Sequence, residues 1–243
     1  MIDTQAAHEF ERFGLEHLTA IAAVLATGFG LSVLTRRSRN GGAATAIRYG
    51  VAGFLLVGLF AATASAWSAR PGDWIDMLPL HLCDMAIFIA VWSLIRRSQT
   101  GYEVLYFWAF GGTLFALITP DIERAFPDFE CVSFFALHGA VLVAAILLTV
   151  GCGLRPRPRA NLRVWALTNA YAALVGVIDA VSGRNYLYLR HKPYEPSILD
   201  QMGPWPWYIG AADVFALALF TVLMLPFGVR GAAAGRASRS EVA

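Results

Sequence analysis

The chain has 243 residues, 57% of them hydrophobic and 15% charged, with a mean hydropathy of +0.56 and a formal net charge of +2. Average soluble domains carry about 25% charged residues, so the composition excludes an ordinary soluble domain. The small net charge speaks against a nucleic-acid partner. The class expected is all-α, a polytopic membrane helical bundle.

A hydrocarbon core of about 30 Å takes roughly 17 to 25 helical residues to cross. Apolar stretches of that kind lie near residues 15–34, 48–66, 78–95, 103–119, 132–152, 162–182 and 206–228, which predicts about seven transmembrane helices. They are expected to form a single domain over residues 1–230, followed by a disordered cytoplasmic tail over 231–243. The first span follows the acidic segment "MIDTQAAHEFERFGLE" and not a basic one with a cleavage site, so it is expected to stay in the mature protein.

The third span opens on "LPLHLCDMA", which places His81, Cys83 and Asp84 within four positions. The fifth carries His138 in "ALHGAVL", the sixth Asn169 and Asp179, and the seventh Asp213. Ionisable groups in hydrocarbon cost about 2.5 to 3.5 kcal/mol each on insertion scales, so they face the bundle interior and mark function or packing. The segment between the sixth and seventh spans, "SGRNYLYLRHKPYEPSILDQMGPWPWYI", is rich in aromatics and carries the only lysine. Its Trp and Tyr residues suit headgroup depth. Arg184, Arg190, His191 and Lys192 are placed to meet a lipid phosphate, with Asn185 and Tyr186 beside them. The alternative is a solvated anchor with no ligand.

Short cytoplasmic loops collect Lys and Arg. One set of alternate loops holds Arg36, Arg37, Arg39, Arg48, Arg96, Arg97, Arg155, Arg157, Arg159, Arg163, Arg230, Arg236 and Arg239, 13 in all. The other holds 6: Arg12, Arg70, Arg124, Arg184, Arg190 and Lys192. The N-terminus is therefore expected outside and the C-terminus inside. Arg outnumbers Lys eighteen to one, which fits a GC-rich bacterial genome and an inner-membrane location.

Counted from the outer span ends at about 1.5 Å per residue, Cys83, His138, Asp179 and Asp213 fall in one layer, with Asn169 deeper. Residues three apart share a helix face and residues two apart do not. His81 thus faces with Asp84 and away from Cys83, and the base for Cys83 is expected from another helix, where His138 stands. A thiolate is the nucleophilic form, and an imidazole or a helix N-terminus favours it. Pro79 suits the first turn of the third helix. Blander readings remain at each position. Cys152 reads as a small hydrophobe, Cys83 with Cys131 as a disulfide, and His81 with Asp84 as a packing pair.

Together "LPLHLCD", "ALHGAVL", "NYLYLRHKP" and "MGPWPWY" resemble the YwaF-like family of integral membrane proteins, which reaches from bacteria to an animal ether-phospholipid acyltransferase of the TMEM type. For the animal relative the resemblance implies a thioester mechanism: a span cysteine takes an acyl chain from a phospholipid and passes it to a lyso ether lipid. The cysteine and histidine of that mechanism match Cys83 and His138.

The leading expectation is a lipid acyltransferase or lipid ester hydrolase, with Cys83 as nucleophile and His138 as general base and then acid. His81, Asp84, Asp179 and Asp213 would support it, a membrane phospholipid or lysophospholipid would be the partner, and no cofactor or metal is called for. Competing expectations are a proton- or solute-coupled carrier or sensor working through buried His and Asp residues, and a zinc-dependent hydrolase using His81, Asp84, His138 and Asp213. A scaffold without chemistry is the remaining one. No residue pattern assigns an oligomeric state.

Overall fold

The computed structural model describes residues 10–38, 41–69, 72, 74–75, 77–122, 124–193 and 197–240, with side chains described to residue 227. Arg39, Arg70 and the last three residues of the tail lie outside the described residues. Among the described residues every regular element is helical: α1 (Leu15–Arg37), α2 (Gly42–Ala69), α3 (Leu82–Arg96), α4 (Gln99–Trp108), α5 (Leu114–Ile118), α6 (Phe129–Ile146), α7 (Ala160–Ser182) and α8 (Trp207–Ser240). A π-helical turn, Ala109–Thr113, joins α4 to α5 as one continuous rod, and a second, Leu147–Gly151, ends α6. By its internal contacts the chain divides into two compact units, residues 1–154 and 155–243, where the sequence reading has one domain to residue 230.

Among the described residues six helical rods are long and apolar enough to cross a membrane, where the sequence reading has about seven. The rod that falls short is α3, whose 15 residues span about 22 Å. It begins at Leu82, three residues past Pro79, with His81 in extended backbone as its N-cap. Asp84, at the third helical position, interacts with the backbone and the imidazole of His81. This is the back-reaching half of a capping box, and it fixes where the helix starts. At the other end Arg97 takes left-handed backbone (φ 52°) and returns its N–H to Ser93 O at 2.9 Å. Ser98 then caps α4 by accepting the Gly101 N–H at 3.2 Å, so the hairpin turns within two residues.

Though short, α3 does carry the chain across the first unit. Along α1, His17 meets Phe135, Gly28 meets Ile146 and Arg36 donates to Val150 O at 2.6 Å, so α1 and α6 run parallel. Arg48, early in α2, donates to Leu94 O near the end of α3 at 2.5 Å, which makes that pair antiparallel. Gly101 abuts Ser93 and Gly112 abuts Leu82, so α3 and the α4–α5 rod are antiparallel too. A parallel α1 and α6 need an odd number of passages between them, and α2, α3 and α4–α5 supply three. In the second unit Asn161 meets Thr221 and Asn169 meets Asp213, so α7 and α8 are antiparallel. Within each unit the passages therefore alternate in direction.

Helix α6 is the core of the first unit and packs against α1, α2, α3 and α4. In lipid the apolar faces gain little from one another, and close helix approach depends on small residues. A Cβ on Gly139 would stand 2.5 Å from Val24 Cγ2, one on Gly58 2.8 Å from Leu137 Cδ2, and one on Gly28 3.0 Å from Ile146 Cδ1. The outward faces carry exposed Phe29, Phe54, Phe60, Leu174, Val181, Val214 and Leu225, the surface expected against acyl chains. Helix α8 continues through the stretch whose composition suggests a disordered tail; its Ala and Arg residues are good helix formers.

Candidate active site

Cys83 is the second residue of α3, half-buried, in the first helical turn where free backbone N–H groups favour an anion. Its Sγ lies 3.9 Å from Asp84 Oδ1. Residues 77 to 81 approach it in non-helical, half-buried backbone. Such backbone at membrane depth is tolerated only where protein or a water-filled space covers it.

Helix registers set the depth of this start. Gly101 touches Ser93 and Gly112 touches Leu82, and each pair is eleven residues on along its own helix, so Cys83 lies level with Gly111. Tyr102 Oη meets Thr149 Oγ1 at 3.1 Å, and eleven residues on from Tyr102 and back from Thr149 stand Thr113 and His138. A second tie agrees: His17 Nε2 meets Leu117 O at 2.7 Å while its ring packs on Phe135, and four and three residues inward are Thr113 and His138. Cys83 and His138 thus differ in depth by two residues, about 3 Å. The start of α3 lies five or more residues, about 8 Å, below the end of α5.

His138 is half-buried and its ring stacks on Phe134, centroids 4.1 Å apart. Nδ1 lies 3.0 Å from Phe134 O. A carbonyl only accepts, so Nδ1 carries the proton and Nε2 presents a lone pair, the form a general base needs. No hydrogen bond joins Cys83 to His138 among the described residues; the thiol's nearest acceptor is Asp84.

Besides His138, the sequence reading passes over His17, which sits fully buried in α1. Its Nδ1 accepts the Phe13 N–H at 2.9 Å, so its Nε2 carries the proton and donates to Leu117 O. Both nitrogens are occupied, which makes His17 a strut and not a base. Glu103, another span residue that the sequence reading passes over, is 1% exposed and accepts from Gln99 Nε2 at 3.2 Å. Each stands at the edge of a predicted span, where loop and membrane residues are hard to separate by pattern.

Cys83, Cys131 and Cys152 are all free. Cys131 lies seven residues outward from His138 on α6, and so nine residues, about 14 Å, above the level of the thiol it would have to reach. That exceeds the Cα separation a disulfide allows. Among the described residues no group of three or more His, Cys, Asp or Glu gathers as a metal-ligand set.

In the second unit Asp213 does not share a depth with Asp179. It accepts from Asn169 Nδ2 at 2.8 Å, so it stands level with Asn169, ten residues or about 15 Å along α7 from Asp179. The discrepancy arises because α8 starts well below the outer end of α7. Asp179 is fully buried, and its Oδ1 accepts the Tyr186 N–H at 2.9 Å, which pins the outer loop to the end of α7. Asn185 organises that loop. Its Oδ1 accepts from Arg190 N and His191 N, and its Nδ2 reaches His191 O and Nδ1, a full complement for an amide. Tyr186 is buried at 3% exposure, Arg190 is exposed with Nη1 3.4 Å from Arg184 O, and Lys192 lies 3.7 Å from Asp200 Oδ1 and over the Tyr208 ring. Tyr208 Oη donates to Tyr188 O, and Trp205 Nε1 donates to Leu189 O at 3.1 Å, closing the loop onto the start of α8.

No solved structure matches this chain. An uncharacterized protein of Treponema pallidum (strain Nichols) is 29% identical over 227 residues, 90% of each chain. The model of the TMEM164 family matches residues 12–224, which takes in α1 to α7, the first part of α8, and both halves of the candidate site. The chain belongs to the TMEM164 family.

Proposed function

We propose that the protein is a membrane-embedded lipid acyltransferase or lipid ester hydrolase that works through an acyl thioester on Cys83, and that within its family it stands with the YwaF-like bacterial members. His138 Nε2 takes the thiol proton, the sulfur attacks a phospholipid ester, and the lysolipid leaves with that proton. A second alcohol or water then releases the acyl chain, with His138 acting again as base and acid.

The observation that carries this reading is the pairing in depth of a thiol at a sunken helix start with an imidazole whose Nε2 lone pair is uncommitted. Asp84 holds the helix start in place, and its carboxylate is the acceptor nearest the thiol. With the N-terminus outside, the site faces the outer leaflet of a bacterial inner membrane; within the second unit, taken by itself, the exposed Arg190 is the loop group best suited to a lipid phosphate.

Purified protein in vesicles of phosphatidylethanolamine and phosphatidylglycerol with labelled acyl chains should generate lysophospholipid. Cys83→Ser and His138→Ala should each abolish that release while leaving the helical content unchanged. Release that persists in both variants would refute the reading. A carrier or sensor is the second reading, favoured by the Asn169–Asp213 pair between α7 and α8; it would be supported by proton-coupled flux that Asp213→Asn removes and Cys83→Ser does not.

A further inference from the structure

We infer that Thr113 is a further catalytic residue of this site, its hydroxyl donating to the carbonyl oxygen of the ester that Cys83 attacks; the inference rests on the acyl-thioester reading above. Thr113 closes the π-helical turn Ala109–Thr113, and that turn packs against both α3 and α6, the helices that carry Cys83 and His138. By register it stands opposite His138 on α6, as two separate ties place it, and opposite His81 at the entrance to α3.

Its hydroxyl differs from those of several span threonines, although Thr35 Oγ1 in α1 is also without a partner. Those of Thr149, Thr168 and Thr221, like that of Thr119 just beyond α5, donate to the carbonyl four residues earlier, at 2.7 to 2.9 Å. Thr113 is 5% exposed, yet its hydroxyl makes no hydrogen bond among the described residues. A hydroxyl that makes no bond to its own helix is left able to donate to a ligand oxygen, and π-helical turns occur frequently at functional sites. A donor held in place by such a turn, at the depth of the base and next to the nucleophile's helix start, is what a developing oxyanion requires.

The step balances as follows. Cys83 Sγ, its proton taken by His138 Nε2, forms a bond to the carbonyl carbon, and the C=O π pair moves onto oxygen, where the Thr113 hydroxyl holds it. Collapse of that oxyanion breaks the ester C–O bond. The departing alkoxide takes the proton from His138, and the acyl group stays on sulfur.

The test uses the full-length protein in the same labelled vesicles and reads two rates: acylation of Cys83 in a single turnover, and alkylation of Cys83 by N-ethylmaleimide. Thr113→Val keeps the shape and removes the hydroxyl. It should slow acylation by about 100-fold, the scale of losing one oxyanion donor, while alkylation stays unchanged. Thr113→Ser should restore most of the acylation rate. Acylation by Thr113→Val at the wild-type rate would overturn the inference. So would a loss in which Thr113→Ser is equally slow or alkylation falls in step, since that pattern marks a packing role. A wild-type protein that never acylates Cys83 would instead remove the functional reading itself, and with it any role for Thr113.

Discussion

Replacing Gly139 with alanine tests the frame that positions His138. A Cβ there would stand 2.5 Å from Val24 Cγ2 and 3.5 Å from Val24 Cγ1, where ordinary carbon contacts lie at about 3.5 to 4 Å. Valine in a helix has one strongly preferred rotamer, so the methyl cannot simply swing away. Helices α1 and α6 must separate by about 1 Å, a strain of about 1 to 3 kcal/mol. Against it stands a gain of about 1 kcal/mol in helix propensity. Gly139→Ala should therefore destabilise by about 0 to 2 kcal/mol in the wild type. In a Val24→Ala background the clash is gone, and the same substitution should stabilise by about 1 kcal/mol. Thermal unfolding in detergent, followed by circular dichroism, reads this as a change of sign, at about 2 to 4 °C per kcal/mol for a chain of this size. Equal stabilisation in both backgrounds would refute the parallel α1–α6 register, and with it one of the ties that sets the depth of His138.

His17→Phe should cost about 2 to 4 kcal/mol, since it strands the Phe13 N–H and Leu117 O while keeping the ring packing; the same unfolding measurement checks it. Asp213→Leu should destabilise by about 0.5 to 2 kcal/mol and Asp213→Asn by less, because the amide oxygen still accepts from Asn169. A membrane-permeant maleimide should label Cys83 well ahead of the fully buried Cys131, as peptide mass mapping would show. Reporter fusions should find the N-terminus outside and the C-terminus inside; a cytoplasmic N-terminus would move the site to the inner leaflet.

Composition and span length made the helical passages legible, because lipid leaves the backbone few alternatives. The chemistry-bearing residues were legible for the same reason: His81, Cys83, Asp84 and His138 stand out against apolar neighbours. The start of α3 was not, since Pro79 is compatible with a first helical turn and only the Asp84–His81 interaction decides for Leu82. The π-helical turns leave no pattern in "AFGGT" or "LLTVG", so the register of Thr113 is read from the backbone. Depth counted from span ends failed for Asp213 because α7 and α8 do not end flush. The same counting worked for Cys83 and His138, whose helices are tied to one rod at several points.

The central claim is that Cys83 carries the acyl group between donor and acceptor. The direct measurement incubates the purified protein with phospholipid bearing a labelled acyl chain and examines Cys83 by mass spectrometry. The account predicts a hydroxylamine-sensitive acyl adduct at Cys83 that is absent from His138→Ala. No adduct at Cys83 under conditions where lysophospholipid accumulates would contradict it.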